Sequence, residues 1–170
     1  AINFFYQYGA FENFSIIDRI VIPETVETVE DINYCHEVII KAPITNLDHC
    51  FNSSYIEKVT LPNTIKTIKS SFNGSNLESI TFDKGTKLES ITSSFTKSKL
   101  CLDDANYIDG CLYLANALIS INSECKYYVL PEDYIISSSA FEYADNLIYY
   151  EGIITGKLPE NLKYLKIIKS

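Results

Sequence analysis

Apolar residues in this chain fall on a template that follows neither a single helical period nor a single strand period. From Ile56 to Phe72 the sequence reads IEKVTLPNTIKTIKSSF, with apolar positions at Ile56, Val59, Leu61, Ile65, Ile68 and Phe72, and Pro62 behind the third. Val59-Thr60-Leu61 alternates apolar and polar residues and β-branched side chains are frequent, so a short strand with one buried face is predicted there. Pro62 cannot donate a ladder hydrogen bond, so it ends the pairing. Ile65, Ile68 and Phe72 step by three and four residues, which predicts an irregular or 3-10-like turn rather than a second strand.

The template recurs along the chain. Upstream it falls on Ile17, Ile20, Ile22, Pro23, Val26 and Val29, with Asn33 in the phenylalanine slot. Downstream it falls on Leu77, Ile80, Phe82, Leu88, Ile91 and Phe95, with Asp83 in the proline slot and two residues inserted around Gly85. Leu130, Pro131, Ile135 and Phe141 keep the Pro62-to-Phe72 spacing. Ile44, Leu47 and Phe51 repeat the second half only, and Leu162, Leu165 and Ile167 the strand half only. Ile17 to Val38 and Ile56 to Leu77 are each 21 residues, and Leu77 to Leu100 is 23. A single unit cannot bury its apolar face alone; stacked units share a continuous core, which predicts a solenoid.

The organisation that follows is a single domain over residues 1–170. Residues 1–16 form an N-terminal edge, 17–105 hold repeats, 106–122 a hairpin turning at Ala115-Asn116, and 123–170 further repeats and a C-terminal edge. Within the first block, 17–36 is a full unit, 37–55 a shorter one with a strand near Val38 to Ala42, and 56–75 and 76–98 two good units. Short strands are expected near Leu100 to Leu102, Leu147 to Tyr150 and Leu162 to Ile168.

These residues resemble the BspA-like branch of the leucine-rich repeat family. IEKVTLP, LESITF, IDRIVIP and YYVLP match the first half of its pattern. GAF at Gly9 to Phe11 and SAF at Ser139 to Phe141 match the second half. IDGCLYLANALISI, from Ile108 to Ile121, looks like the hairpin that family members often carry. The resemblance runs from about Gly9 to the end. The chain departs from the pattern at Asn33, around Ala42-Pro43-Ile44, and after Tyr149. What the resemblance implies is an α/β-type leucine-rich repeat solenoid of mostly short parallel β-strands, irregular or 3-10 turns, and one inserted β-hairpin near 106–122. It also implies a non-enzymatic protein-binding or adhesion module, cell-surface or secreted, that binds through the sheet face.

Side chains alternate faces along a strand, so the template predicts which residues line that face. They are Arg19 and Val21, Lys58 and Thr60, Ser79 and Thr81, Tyr127 and Val129, then Tyr164 and Lys166. The chain holds 13 tyrosines and nine phenylalanines. Tyr127, Tyr128, Tyr143, Tyr149 and Tyr150 are candidates for an exposed contact patch, because tyrosine offers an apolar ring and a polar tip.

Composition narrows the partners. The net charge is −8, which speaks against nucleic acid or an anionic membrane held by bulk electrostatics and toward a neutral or cationic protein. No apolar run approaches the length of a membrane span. Methionine is absent and the first residue is Ala1, which suggests a processed protein or a piece of a longer one. Either the first eight residues improvise a cap with Phe4, Phe5, Tyr6 and Tyr8, or further repeats precede them.

Candidate chemistry is sparse. Five cysteines, Cys35, Cys50, Cys101, Cys111 and Cys125, form no close-spaced framework and are expected as buried or partly buried thiols. A disulfide stays open, since connectivity is not readable from sequence. Cys35-His36 and His49-Cys50 could supply two sulfurs and two imidazoles to zinc, or a Cys–His nucleophile pair, but their spacing is not a finger pattern. Asp103, Asp104 and Asp109 lack the oxygen spacing of a calcium loop. Asp103-Asp104 and Glu30-Asp31 read as turn residues. No catalytic residue, metal or cofactor is therefore assigned. The alternatives are an intracellular scaffold, which the cysteines would suit, and an enzyme working at Cys35 and His49.

Overall fold

The computed structural model describes residues 16–29 and 32–168. The expectations for the N-terminal edge and the Gly9-to-Phe11 half-unit, and the Glu30-Asp31 pair, lie outside them.

Two walls of short strands build the first half. Along the chain come β1 (Ile17–Ile22), β2 (Cys35–Ile40), β3 (Asn46–Asp48), β4 (Lys58–Leu61), β5 (Thr67–Lys69), β6 (Ser79–Phe82) and β7 (Ser90–Thr92). One parallel sheet runs β1-β2-β4-β6 and another runs β3-β5-β7. The register sets Ile20, Val38, Val59 and Ile80 side by side in the first wall. It sets Leu47, Ile68 and Ile91 side by side in the second. Both rows pack into one hydrophobic cluster with Ile56, Leu61, Ile65 and Leu77, which are fully buried.

The second wall was not expected as strands. Ile68 lies between Thr67 and Lys69, and Ile91 between Ser90 and Thr92, so each triplet turns one apolar side chain inward and two polar ones outward. Backbone bonds from one coil to the next hold it: Lys66 N–H donates to Thr45 C=O at 2.8 Å and Glu89 N–H to Lys66 C=O at 2.8 Å. Three polar-apolar-polar residues suffice for a strand when neighbours on both sides supply the ladder.

Behind each second-wall strand the chain turns through alternating left-handed residues. His49, Phe51 and Ser53, then Ser70, Phe72 and Gly74, then Ser93, Phe95 and Lys97 have φ between +47° and +68°. A non-glycine residue there costs of order 1–3 kcal/mol. Repeated side-chain ladders offset that cost. Asn73 donates to the Ser93 carbonyl at 2.8 Å and accepts from Thr96 N–H at 3.0 Å, and Asn52 does the same one coil earlier with Ser70 and Asn73. Ser71 and Ser94 Oγ accept from Cys50 and Ser71 N–H, both at 3.2 Å. Phe51, Phe72 and Phe95 stack inside this corner, with ring centroids 5.1 and 5.2 Å apart.

The coil lengths differ from expectation. β1 pairs with β2 as Ile20 with Val38, 18 residues on, whereas Val38 pairs with Val59 and Val59 with Ile80, each 21 residues on. The short coil is thus the first, and residues 37–55 belong to a full one. Two residues hide this in the sequence. Cys35 fills the inward slot that Ile56 and Leu77 fill in later coils, and all three are fully buried. Asn33 C=O accepts from Tyr55 N–H as Ser54 C=O accepts from Asn76 N–H one coil on, so it fills the slot of Ser54 and not, as the template assumes, that of the corner phenylalanine.

After Phe95 the coil is interrupted. The strand expected near Leu100 is instead one helical turn, α1 (Lys99–Leu102), because Ser98 Oγ caps it by accepting from Cys101 N–H while Leu100 and Cys101 are buried. A 3-10 turn, Asp104–Asn106, follows and is capped by Asp103. β8 (Cys111–Leu114) and β9 (Ala117–Ile121) then pair antiparallel about Ala115-Asn116. β10 (Tyr127–Val129), β11 (Ile135–Ile136), β12 (Tyr149–Gly152) and β13 (Tyr164–Ile167) complete the chain. The antiparallel pair is no separate lobe, since β9 also pairs in parallel with β11. β10, β12 and β13 form a parallel sheet over a second hydrophobic cluster around Leu130, Phe141, Leu147 and Tyr150. With four residues in its one α-helical turn among those described, the chain is a β-solenoid rather than an α/β fold.

Candidate functional site

The predicted outward residues do not share one sheet. Arg19, Lys58, Thr60, Ser79 and Thr81 lie on β1, β4 and β6, while Tyr127, Tyr164 and Lys166 lie on β10 and β13 of a different sheet. The helical turn and the antiparallel pair come between the two sheets in sequence.

On the first sheet the register makes two outward rows. One is Arg19, Glu37, Lys58 and Ser79; the other is Val21, Ile39, Thr60 and Thr81. Arg19 donates to Glu37, so part of this row is charge-neutral. Glu37 and Ile39 were missed because the strand CHEVII begins on a cysteine, which the apolar template did not admit.

On the second sheet the strands run about 4.8 Å apart, and the register aligns Tyr127, Tyr149 and Tyr164 in one row. Val129, Glu151 and Lys166 form the next. Tyr127 is 68% exposed, Tyr164 64% and Val129 55%, while Tyr149 is half-buried between its neighbours. Two members of the expected aromatic patch point the other way. Tyr128 and Tyr150 are buried and stack at 6.2 Å, and Tyr150 meets Phe141 edge-on at 4.9 Å. Strand alternation explains it: in Tyr127-Tyr128-Val129 and Tyr149-Tyr150-Glu151 only the middle tyrosine faces the core. Tyr143 is half-buried, and its hydroxyl accepts from Lys97 N–H at 3.1 Å.

A charged pair braces the row from below. Lys166 Nζ donates to Glu151 Oε1 at 2.7 Å and the Tyr149 hydroxyl donates to Glu151 Oε2 at 2.9 Å. The bonds from Lys166 and Tyr149 hold the Glu151 carboxyl below its usual range, and Glu151 in turn raises Tyr149 and Lys166. Tyr149 is thereby fixed in orientation, with the two more exposed rings on either side.

The other candidate groups have separate employments. Cys35 and His36 open β2, whereas His49 and Cys50 follow β3 in the other wall. Cys35 donates to Glu37 C=O at 2.9 Å, and burial raises its thiol. His36 meets Glu57 at 3.2 Å, and His49 meets Asp48. Asp103 accepts from Ala105 N–H and Asp104 from Asn122, both at 3.0 Å, so these carboxylates serve turns. Among the described residues no three or more His, Cys, Asp or Glu side chains stand together as a metal site would need, and no helix is long and apolar enough to cross a membrane.

A stack of parallel coils presenting ordered side-chain rows is the architecture of a repeat protein. The chain belongs to the BspA-type leucine-rich repeat family: six copies of that repeat model match over residues 44–166. Comparison with curated proteins and with solved structures finds no match. Proteins of this family are often surface repeat proteins engaged in binding and adhesion, and they are typically non-enzymatic.

Proposed function

We propose that this chain is a non-enzymatic protein-binding module of a cell-surface or secreted repeat protein, working as one domain, and that its contact surface centres on the tyrosine row of β10, β12 and β13. The observation that carries this reading is the alignment of Tyr127, Tyr149 and Tyr164 on three adjacent strands, with the outer two largely exposed. Tyrosine gives large, rigid contact area at low entropic cost, and aromatic anchors dominate protein interfaces. Val129 extends the apolar part of the surface, and Lys166, paired to Glu151, adds a polar rim. The net charge of −8 favours a partner without excess negative charge. The rows of β1, β2, β4 and β6, with Arg19, Lys58, Thr60, Ser79 and Thr81, are a peripheral flank of the same binding module that contributes less than the tyrosine row. We read the β8–β9 pair as an insertion between coils, because Ser93 N–H donates to Ser138 Oγ at 2.8 Å and Ser138 N–H to Ile91 C=O at 3.2 Å, stacking rungs that lie far apart in sequence.

The experiment is a solid-phase binding series on immobilised extracellular and cell-surface proteins, comparing the unmodified chain with Tyr127→Ala/Tyr164→Ala and with Lys58→Ala. Anchor residues each contribute about 2 kcal/mol or more, so the double tyrosine variant should lose about 4 kcal/mol and weaken saturable binding by about 900-fold, while Lys58→Ala changes it little. Equal affinity for all three moves the site off this sheet. A second reading, an intracellular scaffold, is favoured by the five buried thiols, since a reducing compartment keeps cysteines unlinked. Titrating thiols in protein isolated from its source under denaturing conditions separates the two.

A further inference from the structure

Two of the five cysteines are arranged unlike the others. Cys35 Sγ approaches the carbonyl of Glu37, Cys50 Sγ those of Val29 and Asp48, and Cys101 packs beneath the Ser98 cap. Cys111 and Cys125 approach each other, with the Cys111 thiol donating to Cys125 Sγ across 3.9 Å.

The backbone around this pair is pinned on both sides. Cys111 opens β8 opposite Ile121, and Cys125 sits in the turn just before β10. Asn122 N–H donates to Gly110 C=O at 2.9 Å and Cys125 N–H to Asn122 C=O at 3.3 Å. Gly110, at φ +76°, leaves out a side chain whose Cβ would stand 2.6 Å from Cys125 N and 2.8 Å from Cys125 Cβ. The glycine is what lets the two segments close on each other. The sulfurs stand 3.9 Å apart, against about 2.05 Å in a disulfide, so closing the bond needs an approach of about 2 Å.

We propose that Cys111 and Cys125 are a dithiol that closes to an intramolecular disulfide when the protein meets a peroxide. The hydrogen bond from Cys111 lowers the Cys125 thiol, and that same contact together with burial raises Cys111. Cys125, which accepts the hydrogen bond of the Cys111 thiol, takes the attacking role in this proposal. It attacks one oxygen of hydrogen peroxide, the O–O bond breaks, hydroxide leaves and takes up a proton, and Cys125 becomes a sulfenic acid. The Cys111 sulfur then attacks Cys125 Sγ, gives up its proton, and displaces hydroxide, which leaves as water. Two thiols and one peroxide become one disulfide and two waters. Both residues are buried, which disfavours a bulky disulfide reagent, and the oxidant in the proposal is accordingly the smallest peroxide. The bond ties the base of the antiparallel pair to the strand that carries Tyr127, two residues beyond Cys125.

The test treats the folded chain with an equivalent of hydrogen peroxide, alkylates remaining thiols in denaturant, and maps peptides without reduction. The expected result is loss of two of the five thiols, a linked peptide pair holding Cys111 and Cys125, no chain dimer, and reversal by dithiothreitol. A link to Cys35, Cys50 or Cys101, a chain dimer, or five alkylated cysteines overturns it. Cys111→Ser should stop at a dimedone-reactive sulfenic acid on Cys125; if this variant folds and traps none, the assigned attacking sulfur is wrong. If it does not fold, the map of the unmodified chain decides alone.

Discussion

Phe72 is where the shared-core reading can be measured. It is fully buried and stacks on two rings, Phe51 at 5.1 Å and Phe95 at 5.2 Å. Phe95 is equally buried and shares one of those two stacks. Replacing each with leucine keeps most of the apolar volume and removes the ring pairing. The backbone cost is unchanged, since both positions stay left-handed at φ +64° and +68°. An aromatic pair contributes about 0.5–1.5 kcal/mol beyond its buried area. Phe72→Leu therefore loses about 1–3 kcal/mol from stacking and Phe95→Leu about half of that, on top of a similar repacking cost for both. The chain has no tryptophan, so urea unfolding is followed by far-UV circular dichroism and tyrosine fluorescence. Amide exchange supplies the local readout. Phe72 N–H bonds Cys50 C=O at 3.0 Å and Phe95 N–H bonds Ser71 C=O at 3.0 Å, so these amides should lose protection first. Those of the other cluster, such as Leu130 N–H on Glu151 C=O at 2.8 Å, should lose less, because each coil of a repeat protein touches mainly its neighbours. If Phe72→Leu costs no more than Phe95→Leu, the rings do not act as a continuous stack and the corner is held by its hydrogen bonds instead.

Two other outcomes follow from single contacts. Gly152→Ala places a Cβ 2.3 Å from the Tyr150 hydroxyl, which is itself fixed by a 2.6 Å bond to Ile153 C=O; overpacking of this kind costs about 1–3 kcal/mol and should lower the Tm, with no loss expected from Gly85→Ala on steric grounds, since its Cβ meets nothing within 4 Å, and only the backbone strain of φ +89° to register. Glu151 has its folded pKa held below the ordinary value of 4.5 by Lys166 and Tyr149. Its contribution is therefore complete above the ordinary carboxylate value and is lost as pH falls through the lowered one. In Glu151→Gln the Tyr149 ring signals should stop responding to acid in that window; a response unchanged from the unmodified chain would assign the titration to another group.

Much of the coil was legible because buried slots demand apolar residues at fixed intervals. Val59 and Ile80 sit side by side on one sheet as the template requires, and Pro62 follows β4 directly. The failures share a cause: a residue that does a slot's job without looking apolar. Cys35 fills an inward position as completely as Ile56, and an aliphatic template that does not admit it puts the strand near Val38 to Ala42 and conceals the outward places of Glu37 and Ile39. Ser98 ends the coil by capping a helical turn, so a strand expected at Leu100 is helical. The left-handed corners carry no glycine signal at Ser70, Phe72, Ser93 or Phe95, because asparagine and serine ladders between coils stabilise them. No local rule reads a stabilisation that comes from the neighbouring coil.

Parallel stacking has one consequence that joins core and surface. Equivalent slots of successive coils lie in register, so a residue type repeated in one slot becomes a row. Inward, that produces the stack of Phe51, Phe72 and Phe95; outward, it produces Tyr127, Tyr149 and Tyr164. The two rows differ in what remains unsatisfied. The phenylalanine rings are covered, whereas Tyr127 and Tyr164 keep about two-thirds of their surface in water. On the first wall the outward slots alternate Arg19, Glu37 and Lys58, and the first two neutralise each other. Exposed ion pairs contribute little to stability, so that wall is expected to add less to binding than the tyrosine row. A partner gains most by desolvating aromatic surface already held in position, and the row of Tyr127, Tyr149 and Tyr164 on β10, β12 and β13 offers such a surface.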